Sequence, residues 1–247
     1  MSRFLKICFA LVLLLSALTG CRTETGEWRT ERIEQPVASL EMEIGAADIT
    51  IRIGKTLRVE TDNPYITAAV QGDTLVIREK HHISKLENSH LILELPKGTT
   101  FRSVDLELGA GRLTAESLIC DRLDMDLGTG QTVIEYIDVT REAEIHGGVG
   151  ELMIRAGNIR NLDLELGVGN GVITALLIGQ AEIEAGIGNL DLTVLAPASD
   201  YTVRANAGIG GVFVNDVSVK DGSIGTGPNM LEISGGIGKV SVVFGKI

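Results

Sequence analysis

The sequence predicts an all-β fold: a single-domain parallel β-solenoid with coils of about 19–20 residues and Gly-x-Gly corners. The first observation behind this is a repeat. Seven Gly-x-Gly tripeptides recur as a series through the last 140 or so residues: Gly109-Ala110-Gly111, Gly128-Thr129-Gly130, Gly148-Val149-Gly150, Gly167-Val168-Gly169, Gly186-Ile187-Gly188, Gly208-Ile209-Gly210 and Gly236-Ile237-Gly238. Their first glycines are spaced 19, 20, 19, 19, 22 and 28 residues apart, and a near-constant period of this size marks a stacked-repeat architecture. The second observation is alternation. Three residues before the first glycine stand Leu106, Met125, Ile145, Leu164, Ile183, Ala205 and Ile233, while the positions two and four before it are mostly charged. Apolar residues resume four and six after it, as in Leu113 and Ala115 or Leu190 and Leu192. This is a strand pattern with one buried and one wet face. The third observation is the lack of a helical pattern between the tripeptides. One Gly-x-Gly before a helix hints at a dinucleotide site; seven without one are structural corners.

The middle residue of each corner sets the expected geometry. An exposed hairpin tip favours polar turn formers. Here the series is Ala110, Thr129, Val149, Val168, Ile187, Ile209 and Ile237, so these side chains are expected to point into the core. The glycines then supply backbone angles that other residues resist, and successive coils pair in parallel at about 4.8 Å. An antiparallel meander or sandwich stands as the alternative. Cys120, Val139, Ile159 and Ile178 recur at one register position, which makes Cys120 an inward-facing, inert thiol. The amino-terminal third is a degenerate version. Glu41 to Ile51 matches the unit with Ala for the second glycine, and residues 57–59, 66–70, 74–78 and 91–95 form further strands. Polar stretches at 79–89 and 215–229 are expected loops, the natural places to look for function.

The chain begins with a targeting segment. Arg3 and Lys6 precede an apolar run, Ile7 to Leu15, whose nine residues fall short of the roughly 20 needed to span a bilayer. Leu18-Thr19-Gly20-Cys21 resembles the bacterial lipobox, and the other reading is an ordinary signal peptide with a chance cysteine. The expected organisation is a lipoprotein signal peptide over 1–20, lipidated Cys21 and a polar tether over 21–36, and the solenoid over 37–247. Acyl chains on Cys21 exceed what stable anchoring needs. The expected location is therefore extracytoplasmic, tethered to the bacterial cell membrane. Cys8 leaves with the signal and Cys21 carries lipid, so Cys120 has no disulfide partner within the chain.

Composition narrows the partners. The full chain carries 33 acidic and 22 basic residues; without the signal segment the balance is 33 to 20, a net charge of −13. This argues against nucleic acid and against electrostatic docking on anionic lipid. Aromatic residues make up only 4 %, which weakens sugar stacking.

The stretch from Leu91 through Leu95-Pro96-Lys97-Gly98 to Asp105-Leu106-Glu107-Leu108-Gly109-Ala110-Gly111, with the terminal Gly236-Ile237-Gly238-Lys239-Val240, resembles a known family. It is similar to the bacterial putative adhesin domain, a family of unknown function related to the toast-rack β-solenoids of envelope-stress systems. The likeness covers about residues 37–247. It implies a parallel β-solenoid and a role in adhesion or envelope-stress signalling, and it brings no catalytic residues.

Chemistry is sparse. The histidines are His81, His82, His90 and His146, with no His-Glu-x-x-His, Cys-x-x-Cys or Gly-x-Ser-x-Gly, and no cofactor or resident metal is expected. The sharper candidate is an acidic face. In a parallel stack Asp105, Asp124, Glu144, Asp163 and Glu182 form one column, and Glu107, Asp126, Glu165 and Glu184 a second. Like charges about 5 Å apart repel by roughly 1 kcal/mol in water, which invites Ca²⁺, a polycation or a basic partner. The plainer reading is a face kept soluble and unpaired. The calcium-binding nonapeptide roll has the wrong period, and polysaccharide-cleaving helices need irregular carboxylate pairs in a groove.

The expected function is thus a non-enzymatic, lipid-anchored binding or scaffold protein, adhesin-like or an envelope-stress interaction module. Its partners would be the membrane through the anchor and an envelope or membrane protein, with end-to-end or edge-strand self-association open to it. The alternative is a Ca²⁺-dependent binder or processing enzyme of an envelope polysaccharide acting through the acidic face.

Overall fold

The alternating pattern is realised as strands that run straight through the Gly-x-Gly corners. A computed structural model describes residues 26–80, 89–220 and 222–245. The expected signal segment, Cys21, His81, His82 and Asp221 lie outside the described residues. Sixteen strands are described: β1 (Arg29–Arg32), β2 (Ser39–Gly54), β3 (Arg58–Thr61), β4 (Ile66–Gln71), β5 (Thr74–Glu79), β6 (His90–Pro96), β7 (Phe101–Ala115), β8 (Leu118–Ile134), β9 (Ile137–Ile154), β10 (Gly157–Val194), β11 (Tyr201–Asn206), β12 (Val212–Val214), β13 (Val217–Val219), β14 (Gly222–Ile224), β15 (Asn229–Ser234) and β16 (Val240–Phe244).

The central stack is β2-β7-β8-β9-β10, parallel throughout. β10 supplies two successive coils, its first half paired with β9 and its second with β15 and β16. The chain is therefore a parallel β-solenoid. Its core is built from the apolar positions of the repeat. Leu106, Met125, Ile145, Leu164 and Ile183 are buried on one wall, and Ile134, Ile154, Ile173 and Leu192 on another. Each fully buried Leu or Ile contributes about 1.5–3 kcal/mol relative to exposure, and every coil repeats the set. Cys120 is one such rung residue, in register with Phe101 and Val139. Burial, with Asp121 and Asp138 nearby, pushes its thiol up to about 12, so it is not a nucleophile. Ile178, expected in the same column, is only half-buried, and Leu177 takes the inward place.

The corners need glycine for two reasons. Gly169 has φ 145°, and a Cβ there would lie 1.7 Å from the Gly150 carbonyl oxygen. At Gly167 a Cβ would lie 2.2 Å from the Gly148 oxygen. The residue between them behaves differently from the expectation. Val149, Val168, Ile187, Ile209 and Ile237 are exposed, not buried. Strand alternation would put the middle residue on the same face as the half-buried residue two before it (Leu127, Leu166). Its exposure means that the backbone breaks the alternation at the corner, where the second glycine takes a positive φ.

Both ends of the stack are closed by antiparallel strands. At the amino-terminal end β5 and β6 form a coil on β2, covered by β4 and β3, with β1 on β3. Residues 29–32, placed by sequence in the tether, thus belong to the sheet. In place of a neighbouring corner, the Glu79 carboxylate accepts from the N–H of Gly45 (2.9 Å) and of Ala46 (3.2 Å). Asn63, fully buried, donates to Glu79 Oε1 (2.9 Å) and Ser89 Oγ (3.0 Å). At the other end the order of the chain is broken. β15 and β16 insert between β10 and the earlier coil β11/β12. β14 and β13 then cover β11 and β12. β16 is thus an internal rung, and β13 and β14, from the expected loop at 215–229, supply the cap.

Gly169→Ala is expected to destabilise the protein by about 3 kcal/mol or more, since it adds positive-φ strain to a backbone clash. Val168→Ala, one residue away, should stay within about 0.5 kcal/mol. Urea midpoints compare the two. Glu79→Ala strands two corner donors and should cost about 2–3 kcal/mol, with faster amide exchange at Gly45 and Ala46 as its local signature.

Candidate binding face

The outward residues on the approach to each corner form the face that carries charge. Because the coils are in register, Glu41, Asp105, Asp124, Glu144 and Asp163 follow one another along the stack. Glu182 continues the column to Glu232. A second column runs Glu43, Glu107, Asp126, His146, Glu165, and Glu184 is opposite Ser234. Each end carries an arginine. Arg78 pairs with Glu41 and, at 3.4 Å, with Glu43. Arg204 stands opposite Glu232. Sequence reasoning stopped at Asp105 and Glu182, yet Glu41 and Glu232 hold the same offset, four before Gly45 and Gly236. That offset was the signal available to extend the column.

His146 interrupts the second column and gathers its neighbours. Its Nδ1 lies 3.1 Å from Asp126 Oδ1, and its Nε2 is 3.6 Å from Glu144 Oε1 and 3.9 Å from Glu165 Oε2. Ligand atoms of Asp124, Asp126 and His146 all fall within 4.8 Å of one another. One imidazole and two carboxylates are a donor set that suits a divalent transition ion. The remaining described histidine, His90, joins no such cluster among the described residues: its Nδ1 is 2.7 Å from Asp62 Oδ2, and its ring lies 6.0 Å from that of Trp28.

The columns have an electrostatic cost that the carboxyls register. The Asp105 carboxyl is held above the usual Asp range, first by partial burial and then by Asp124, Glu41 and Asp126. Asp124 is raised likewise, by partial burial and then by Glu144 and Asp126, with His146 opposing. An acid raised on folding opposes the folded state while ionised. The contribution of these two carboxyls to stability is therefore least favourable at neutral pH and above, and improves as pH falls through their raised values toward those of the unfolded chain. Glu94, whose desolvation is outweighed by Arg58 and Arg52 so that its carboxyl is lowered, acts the other way.

Under the corners lies a cavity of about 60 Å³. Leu108, Leu127, Leu113, Leu152 and Leu166 wall it. Arg112 and Glu151 stand at its lip, bridged by Gln131, which accepts from Arg112 (3.1 Å) and donates to Glu151 (2.9 Å). Thr129, Thr132 and Asn170 add polar groups to the cavity's lining, and none of the column carboxylates is part of it. The third surface element is the corner column itself, Ala110, Thr129, Val149, Val168, Ile187, Ile237 and Ile209 in stacking order. It borders the second acidic column.

The chain's comparisons with known proteins agree with the architecture. The family profile described as Toastrack DUF4097 matches residues 37–209. No curated protein matches the sequence. Among solved structures, a putative adhesin from Bacteroides fragilis is 14% identical, with 87% of this chain and 97% of that one covered at a TM-score of 0.41. A putative cell adhesion protein from Clostridium sporogenes is 12% identical over 89% and 99%, TM-score 0.32. A putative lipid binding protein from Parabacteroides distasonis is 16% identical over 88% and 97%, TM-score 0.34. Likenesses this distant carry no argument about what the chain does.

Replacing Asp105 and Asp124 by Asn is expected to raise the unfolding temperature at pH 7 by about 1–3 °C after solvent screening. It should also flatten the gain in stability on going from pH 7 toward pH 4. Thermal melts across that range check both.

Proposed function

The chain belongs to the Toastrack DUF4097 family, and from that premise we propose that it is a non-enzymatic, lipid-anchored extracytoplasmic binding or scaffold protein, an adhesin-like or envelope-stress interaction module. The observation that carries this reading is the regularity of the binding face. Catalysis needs a few groups set at unlike distances around one reacting atom, in a site that excludes water. Here the charged groups recur at one spacing along several coils, and the cavity beside them is walled by leucine. An extended periodic face suits recognition of another extended surface. The anchor follows from Leu18-Thr19-Gly20-Cys21, with Cys21 as the lipidated residue, which would hold the solenoid outside the cytoplasmic membrane with its face free.

Photo-crosslinking in living cells tests this, with probes at Glu165 and in the segments around His82 and Asp221. Capture of one discrete envelope or membrane protein from a single position is the expected result. Capture of nothing, or of wall polymer alone, overturns it.

A second reading, the Ca²⁺-dependent binder or processing enzyme of an envelope polysaccharide, is favoured by the stacked carboxylates of Asp105, Asp124 and Asp126, oxygen donors of the kind Ca²⁺ takes, whose mutual repulsion a cation relieves. A cation that binds only the folded chain adds about 2.7 kcal/mol at a hundred times its Kd. Under the scaffold reading, millimolar Ca²⁺ raises the unfolding temperature no more than NaCl of equal ionic strength. A larger rise, lost in Asp124→Asn, would instead support the cation-dependent reading.

A further inference from the structure

The corner column is apolar along most of its length. Val149, Val168, Ile187, Ile237 and Ile209 follow one another along the stack and are 46–73% exposed. A single exposed Val or Ile is ordinary, whereas an unbroken line of them marks a contact surface. At about 4.8 Å per rung the five span about 19 Å.

The backbone and the flanking charges define what fits there. The Gly188 N–H donates to Ile237 O (2.8 Å), Ile237 N–H to Gly186 O (2.8 Å), Ile209 N–H to Gly236 O (2.7 Å) and Gly238 N–H to Ile209 O (2.7 Å). These groups are spent within the stack, so an added strand gains no ladder along this line. A backbone pressed against it must satisfy its own N–H and C=O groups, as an α-helix does. A helix rises about 5.4 Å per turn, close to the rung spacing, so residues one turn apart meet successive ridge residues over about 13 residues. The two flanks differ. On one stand Glu165 and Glu184, with Asp163 and Glu182 behind them. On the other a ladder runs from Glu151 through Asn170 and Asn189 to Lys239, acidic only at its first rung; Asn170 Oδ1 accepts from the Asn189 N–H (3.3 Å) and Asn189 Oδ1 from the Lys239 N–H (3.1 Å). A net charge of −11 on the full chain opposes a second copy, and the acidic flank opposes an anionic lipid surface.

We propose that the ridge of Val149, Val168, Ile187, Ile237 and Ile209 is the docking site for a cationic amphipathic helix of a partner protein. Its apolar stripe lies on the ridge, and Lys or Arg on one flank meets Glu165 and Glu184. The proposal rests on the binding reading above and names the class of its partner.

The test uses the full chain and labelled 18-residue synthetic helices followed by fluorescence anisotropy. One carries a leucine stripe flanked by lysine, one the same stripe flanked by glutamate, and one the lysine composition with the stripe scrambled. Saturable one-to-one binding of the first peptide alone is expected. Val168→Thr with Ile187→Thr should weaken it about tenfold or more, because a hydroxyl replaces a methyl at Val168 and the ethyl branch at Ile187. Glu165→Gln with Glu184→Gln should weaken it and flatten its salt dependence. Unchanged melting temperatures establish that both variants fold. Equal binding by the threonine variant, equal binding of the scrambled peptide, or no binding by the wild type overturns the ridge assignment. If cellular crosslinking still captures a discrete partner in any of these cases, the binding function stands and only its placement on the ridge falls.

Discussion

A Cβ at Gly150 or Gly169 would lie 1.8 or 1.7 Å from a carbonyl oxygen of the preceding coil, so each coil laid on another needs glycine at this contact. That close approach fixes the register of the stack. Once Gly111, Gly130, Gly150 and Gly169 are superposed, every residue at a given offset is superposed as well. The buried wall, the carboxylate columns and the apolar ridge are three consequences of one alignment. A slip of a single residue would exchange the core and solvent faces throughout.

The same alignment stacks like on like, with opposite consequences inside and outside. Inside, Leu on Met on Ile on Leu builds a continuous core. Outside, Asp on Asp on Glu accumulates repulsion that Arg78 and His146 relieve in part. Such a face is soluble and resists pairing with its own kind, yet offers a regular field to a cation or a basic surface. The ridge beside it supplies the apolar contact that charge alone lacks. Their adjacency comes from spacing: the second acidic column stands two residues before the first glycine of each corner and the ridge one residue after it.

A solenoid built this way would have open ends, and both are closed by chain that leaves the repeat. At one end the Glu79 carboxylate stands in for a missing corner, held by buried Asn63. At the other the chain lays down β11 and β12, turns back through β13 and β14, and then slips its last coil beneath them. The strands that would propagate the sheet are thereby covered by short antiparallel pieces, which limits growth by addition of further coils.

The repeat period and the in–out alternation are local, so the amino-acid sequence by itself determined the parallel solenoid, the buried positions and the two carboxylate columns. The offset of the charged residues from each glycine needs nothing but counting. The direction of the middle corner residue was not legible, because hydrophobicity alone cannot distinguish a side chain aimed into a core from one aimed at a partner. Val168 and Ile187 satisfy both descriptions until the backbone path through the glycines is known. The role of Glu79 and the insertion of β15 and β16 depend on contacts between segments distant in sequence, which carry no periodic mark. Tertiary structure decided these, since the unsatisfied N–H groups of a terminal coil find their acceptors across space rather than along the chain.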